Sequence, residues 1–480
     1  MSPLLLLMLA ACDAPATDAG GLALELCHVQ GVGTETFCGV FEVYEDREAG
    51  AGRIIPLRVV LVPAVSPDPE PDPLFFLAGG PGQAASELIA AVMPTFNGIH
   101  KSRDLIFVDQ RGTGSSNPLD CESEAGDTLA GQFASSEMDP EAMERCRDSL
   151  DADLTKYTTP FAMDDLDDLR AAMGYDTLNL YGASYGTRAA LVYMRRHPER
   201  VRSVILDGVV PTEMEVFLHF ARDGQDAWDA LVRDCHDQKK CAETFPELSA
   251  TLDGLLASME EEPIAVTVRH PLTGAPEAIE VGRDAFAAHL RGLLYAPQIT
   301  PLLPLALTQA SQGEYEPFVA QSAGISGGTS DTISLGMMLS VVCAEDLPRI
   351  TPGMREDAAK GTFLGDSLVA MMAGACQDWP IGDLPEGYNA PVQSEAPTLV
   401  LSGALDPATP PRWGEQALRG LPNGVHAIAP GAGHNVSPLG CTPRRMTDFI
   451  EAGTAADLDL SCIGDIKRPD FFIDFAGPAE

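Results

Sequence analysis

Short apolar runs closed by polar, glycine-rich turns recur along both ends of this chain. Arg53–Val62 is β-branched and apolar and reads as a strand, ending at the proline-rich stretch Pro63–Pro73, which cannot pair in a sheet. Leu74–Ala78 and Leu105–Val108 are apolar without alternation, the pattern of strands covered on both faces. Met163, Leu166, Leu169 and Met173 recur at helical spacing among charged residues, which predicts a helix over Ala162–Met173 stopped by Gly174. A strand over Leu178–Tyr181, a helix over Thr187–Arg196 and a strand over Val204–Leu206 follow.

From about Pro211 to Pro391 this alternation gives way to cysteine-containing segments of mostly helical pattern. It then resumes with a strand at Thr398–Leu401, a helix at Trp413–Leu418, a strand at Val425–Ala429 and a terminal helix at Arg444–Ile450. The alternation predicts an α/β architecture with a doubly wound, mostly parallel sheet. At 480 residues the chain accommodates one large core and an insertion. The expected organisation is a leader over 1–12, a first core part over 22–210, a largely helical cap over 211–391 and a second core part over 392–480.

Charge removes some partners from consideration. The formal charge of -39, from 70 acidic against 31 basic side chains, repels phosphate backbones and anionic surfaces, so nucleic acid is not an expected partner. The apolar run Leu4–Ala11 is too short to span a bilayer. It reads as an export signal, and Leu9-Ala10-Ala11-Cys12 resembles the lipobox of bacterial lipoproteins, although the basic residues that usually precede such a run are missing. Cys12 is then the expected lipidation site and the only expected attachment to a membrane, and the protein is expected in the periplasm or cell envelope, or secreted. Ten cysteines remain, without CxxC or Cys/His clustering, and are expected as sequence-adjacent disulfides in an oxidising compartment. No metal and no cofactor is expected.

The chemistry lies in Gly182-Ala183-Ser184-Tyr185-Gly186, a G-x-S-x-G motif between a predicted strand and a predicted helix, the setting of a nucleophile elbow in the α/β-hydrolase fold. A serine hydroxyl needs a base, and in this fold the chain order is Ser, acid, His. His426 sits inside a predicted strand, whereas His434 sits in the loop Pro430–Asn435, so His434 is the expected base. Asp406, in the loop after Thr398–Leu401, is the expected acid that holds the imidazole tautomer. Two backbone N–H groups must face the oxyanion: Tyr185, after the nucleophile, and Gly80 (or Gly79) in the early Ala78-Gly79-Gly80-Pro81-Gly82 loop.

These residues resemble a known family. Gly79–Gly82, Asp109–Ser116, Gly182–Thr187, Val342–Asp346 and the Asp406 and His434 loops occur in the order found in secreted tripeptidyl aminopeptidases and their prolyl aminopeptidase relatives. The resemblance runs from about Pro56 to Cys462; Ala78 stands where the family usually has His. It implies a serine exopeptidase that removes tripeptides or single residues from free peptide N-termini, with the cap limiting access. A substrate ammonium then needs a carboxylate, for which Glu345 and Asp346 are the candidates. Asp109 and Arg111 are expected to brace loops. The competing functions are a carboxylesterase or lipase of the same fold and a catalytically inactive peptide-binding lipoprotein.

Overall fold

The unalternating apolar runs form the centre of one ten-stranded sheet. The structure, a computed structural model, describes residues 17–19, 22–121, 128–133, 139–271, 273–329 and 332–478. The expected leader, with Cys12, lies outside the described residues. In chain order the strands are β1 (Thr17–Ala19), β2 (Leu22–Cys27), β3 (Thr36–Tyr44), β4 (Ile54–Val62), β5 (Leu74–Leu77), β6 (Leu105–Val108), β7 (Leu178–Ala183) and β8 (Val201–Asp207). There follow β9 (Ile264–Arg269), β10 (Pro276–Val281), β11 (Thr398–Gly403) and β12 (Gly424–Ala429). The sheet order is β1-β2-β3-β4-β6-β5-β7-β8-β11-β12. Pairing is antiparallel from β1 through β4 to β6 and parallel from β6 to β12.

Because side chains alternate across a strand, neighbouring residues enter opposite layers. Phe75, Leu180 and Val400 pack with Met163, Leu166 and Leu169 of the helix Thr159–Ala172 and with Ala189 and Val192 of the helix Tyr185–Arg196. Phe76, Tyr181 and Leu401 pack on the other face with Phe96 and with Phe449 and Ile450 of the helix Thr442–Ala452. Gly174 stops the first of these helices with φ +81°, a left-handed conformation that glycine adopts without a Cβ clash.

Between β8 and β11 the chain leaves the sheet. The helices Val216–Asp237, Leu248–Glu261, Arg283–Leu294 and Leu303–Ala310 bury Trp228, Leu252, Phe286 and Leu303 in a separate apolar cluster, which also takes in Phe133 and Phe471. A β9/β10 hairpin, paired from Val281↔Ile264 to Pro276↔Arg269, adds a strand element to the helical pattern read for this region. Further on, the helix Leu335–Glu345 packs against Leu119, Tyr157 and Tyr185 instead.

All ten described cysteines pair with their sequence neighbours: Cys27–Cys38, Cys121–Cys146, Cys235–Cys241, Cys343–Cys376 and Cys441–Cys462. The Cys343–Cys376 bridge closes 33 residues. Replacing both by Ala is expected to destabilise the protein by about 3–4 kcal/mol through the freed denatured chain alone. Urea unfolding with and without the pair checks this, and an unchanged midpoint would refute it.

Candidate active site

Ser184 occupies the tight corner between β7 and the helix Tyr185–Arg196, with φ 54° and ψ -124°. This corner is closed too tightly for any side chain at its flanking glycines. A Cβ on Gly182 would lie 2.4 Å from Gly186 O, and one on Gly186 would lie 2.1 Å from Leu77 O. The positive φ of Ser184 lifts its side chain off the sheet edge, while the helix begun by Tyr185 turns its N-terminal dipole and free N–H groups toward the same space. Ser184 N donates to Asp207 O at 2.9 Å, and Thr187 N and Oγ1 donate back to Ser184 O at 2.9 and 2.6 Å.

The acid and base loops meet beside it. His434 Nδ1 and Asp406 Oδ2 are 2.9 Å apart. The acid loop touches the base loop through backbone: a Cβ on Gly403 would sit 2.0 Å from Gly433 O. The Asp406 carboxylate accepts from Ala408 N and Thr409 N at 2.8 and 2.9 Å and from Thr409 Oγ1 at 2.7 Å. Burial favours the neutral acid, but the His434 charge and these donors outweigh it and hold the Asp406 carboxyl below the usual carboxylate value. Burial likewise opposes the imidazolium, and the Asp406 charge and hydrogen bond outweigh it, so His434 is held above the ordinary histidine value.

Ser184 and His434 border one short segment, Asp207–Gly208. Asp207 O receives the Ser184 N–H, and a Cβ on Gly208 would lie 3.2 Å from His434 Cε1. The carboxylate of Asp207 pins the base loop from below, accepting from Val436 N and Ser437 N at 2.8 and 2.9 Å and from the Tyr181 hydroxyl at 3.1 Å. From the side of the helical insertion, His434 N donates to Tyr295 O at 3.2 Å, and the Tyr295 ring meets the imidazole edge-on with centroids 5.0 Å apart. The early glycine loop approaches too, since a Cβ on Gly79 would lie 3.3 Å from Ser184 Cβ. Gly80, the next residue, has φ +104°.

Other expected residues fall elsewhere. His426 bonds Ser402 Oγ at 2.9 Å within the sheet. Asp109 accepts from Ser86 N and Oγ and from Ser115 N, and Arg111 forks onto Asp165 at 2.7 and 2.9 Å; both brace loops. Glu345 and Asp346 differ from the expectation, because both carboxylates are fully buried and occupied by the chain's own donors. Asp346 takes Arg188 Nη1 on both oxygens at 3.0 Å and Val216 N at 3.3 Å. Glu345 takes Thr159 N and Oγ1 at 2.8 and 3.0 Å and the Tyr388 hydroxyl. Through Thr159, whose Oγ1 is 2.6 Å from the Tyr185 hydroxyl, Glu345 steadies the residue that follows the nucleophile.

The sequence reading missed Thr409 and Asp207. Thr409 stands at the third position after Asp406, where a side chain can fold back onto the acid it follows, and Asp207 ends β8 at the sheet edge where loops converge. Among the described residues no cluster of three or more His, Cys, Asp or Glu side chains is arranged to hold a metal ion, and no helix is long and apolar enough to cross a membrane.

Residues 72–252 match the family model of the alpha/beta hydrolase fold, and residues 361–462 match that described as TAP-like protein. Serine protease Hip1 of Mycobacterium tuberculosis is 26% identical over 483 residues, covering 88% of this chain and 87% of its own length. Tripeptidyl aminopeptidase of Streptomyces lividans is 30% identical over 179 residues, 34% of this chain and 33% of its own. Proline iminopeptidase of Xylella fastidiosa is 27% identical over 170 residues, 34% of this chain and 42% of its own. With an elbow serine and a paired acid and histidine in the order Ser, Asp, His, the chain has the α/β-hydrolase fold of a serine hydrolase and is similar to the tripeptidyl aminopeptidases and proline iminopeptidases.

Proposed function

We propose that this chain is an exported serine exopeptidase that releases tripeptides or single residues from free peptide N-termini. The observation that carries the reading is the 2.9 Å His434–Asp406 pair set beside a serine held at positive φ. Ser184 Oγ attacks the carbonyl carbon while His434 takes its proton. The backbone N–H groups of Tyr185 and Gly80 receive the oxyanion, and the amine leaves with the proton from His434. Water, activated by the same histidine, then releases the acyl group. The insertion over 211–391 serves as the cap that limits which chain ends enter. Five disulfides support an oxidising compartment, and Cys12 supports an anchored form.

Amine recognition needs a carboxylate near the triad. Both oxygens of Glu345 and of Asp346 already accept hydrogen bonds, whereas one oxygen of Asp223, on the helix Val216–Asp237, accepts none, so the assignment moves to Asp223, which an arriving amine would share with Arg412. Asp223 is fully buried; burial, with Arg412 opposing, pushes its carboxyl up to about 7, and the Asp406 charge reaches it. Its Oδ2 accepts from Trp413 Nε1 at 3.2 Å, and its Oδ1 takes no hydrogen bond although the Arg412 guanidinium lies against it.

The test pairs a free-amine tripeptide anilide with its N-acetyl form, a proline anilide and a short-chain ester. Wild type is expected to favour the free amine by at least about tenfold, the worth of one charge-assisted contact. Asp223→Asn is expected to shrink that ratio. Equal turnover of the acetylated peptide removes amine recognition, and ester cleavage alone leaves a carboxylesterase.

A further inference from the structure

Five arginines are buried: Arg103, Arg111, Arg170, Arg188 and Arg291. The first four each hold a carboxylate, in the pairs Arg103–Asp72, Arg111–Asp165, Arg170–Asp167 and Arg188–Asp346. Arg291 has no carboxylate within ion-pair distance among the described residues. That is unusual in a chain with 70 acidic against 31 basic side chains, because a buried guanidinium without a counter-charge loses hydration that no ion pair restores.

What holds Arg291 is aromatic. It lies on the helix Arg283–Leu294 with its guanidinium carbon 3.9 Å from the Phe220 ring centroid and 5.0 Å from that of Tyr295. Such faces offset part of the lost hydration while leaving the N–H edge open. Nη2 donates to the Tyr295 hydroxyl at 2.6 Å, and Nε is buried with no hydrogen-bond partner. The arginine stem runs beside Gly224 of the helix that carries Phe220, where a Cβ would meet Arg291 Cγ and Cδ at the ordinary contact distance of 3.6 Å.

One residue, Tyr295, links the guanidinium to the triad. Tyr295, which it bonds, packs edge-on against His434 and accepts the His434 N–H. Its positive charge acts on His434 itself, opposing the imidazolium. We propose that Arg291 recognises a substrate carboxylate next to the scissile bond, so that the enzyme selects acidic substrates at that position. This rests on the serine-peptidase reading of Ser184. Two sources share the chemistry: an Asp or Glu side chain flanking the scissile bond, or the α-carboxylate of a short leaving peptide. Planar guanidinium suits either, since it can offer two parallel N–H groups to one carboxylate.

The experiment compares kcat/KM within matched pairs of free-amine peptides. One pair differs as Asp against Asn beside the scissile bond, with amidated C-termini; the other differs only as a C-terminal acid against its amide in a peptide cut one residue from its end. Wild type is expected to favour the carboxylate about tenfold in whichever pair supplies the natural source. Arg291→Gln is expected to bring that ratio near one, and Arg291→Lys to retain part of it. The ratio is internal to each variant, so loss of folded enzyme does not move it. Removing the charge is also expected to shift the acid limb of the pH profile upward in Arg291→Gln and not in Arg291→Lys, which a packing role does not do. A wild-type ratio near one in both pairs, or a preference that survives Arg291→Gln, would overturn the proposal. If no peptide is cleaved by a Ser184-dependent route, the peptidase reading fails separately. Inhibition of short-chain ester hydrolysis by a tripeptide acid against its amide then reads Arg291 by itself, and equal inhibition would refute it.

Discussion

Ser184→Ala is expected to lower kcat on every substrate by about ten-thousand-fold or more, leaving only what the oxyanion donors and binding achieve unaided. The nucleophile is removed while its surroundings stay, because the corner is set by Gly182 and Gly186 and by the Ser184 N–H to Asp207 O bond, none of which uses the hydroxyl. Alanine at φ 54° keeps the conformational strain that serine carries there. Glycine does not, and Ser184→Gly is therefore expected to be equally inactive but more stable than Ser184→Ala by about 1 kcal/mol. Active-site titration with a serine-reactive probe and thermal unfolding read the two halves separately. Residual turnover above one per cent in Ser184→Ala would place the nucleophile elsewhere. Equal midpoints for the Ala and Gly variants would remove the strained elbow.

The parallel half of the sheet was legible because its strands are buried on both faces. β5 and β6 are buried at every position, so their sequence must be continuously apolar, and such runs stand out against polar turns. The antiparallel edge was harder to see. In β3 the exposed Val40 and Tyr44 are apolar or aromatic like the partly covered Phe41 and the buried Val43, so both faces of the strand read alike and the alternation is blurred. The β9/β10 hairpin carries an alternation of Ile264, Val266 and Val268, but it lies between long helical stretches that set the local reading.

The site divides the same way. Ser184, Asp406 and His434 were legible because each sits in a local signal: a glycine corner, an acid after a strand, a histidine in a glycine loop. Glu345 and Asp346 were misplaced for a physical reason that was present in the sequence. Arg188 lies in the helix Tyr185–Arg196, whose surrounding residues from Tyr185 to Met194 are all buried, and a guanidinium there requires counter-charges from another element. An acidic pair within an apolar run is what answers it. Asp207, Asp223, Arg291 and Thr409 act through neighbours remote in sequence or through a loop's local fold, and only the folded chain identifies those neighbours.

Asp406→Asn is expected to cut kcat/KM by about a thousand- to ten-thousand-fold and to move the acid limb of activity to lower pH. The carboxylate does two things for His434, and the substitution removes both. It accepts the Nδ1–H at 2.9 Å, which leaves Nε2 free to take the Ser184 proton; an amide in the same cradle can present its own N–H to Nδ1 and impose the opposite tautomer. Its charge also outweighs burial and keeps His434 above the ordinary histidine value of roughly 6.5. The base must be neutral, so wild-type activity rises with pH as it passes upward through that raised value. With the charge gone, burial dominates and favours neutral imidazole, so what activity remains persists to more acid pH than in wild type. Asp406 itself stays ionised across this window, because His434 and the Thr409 donors hold its carboxyl below the usual range. Profiles of kcat/KM between about pH 5 and 9 for both enzymes decide it. An acid limb that stays in place would show that another group supplies the charge beside His434, and Asp207, which feels the same imidazole from beneath the loop, would be the next carboxylate to remove.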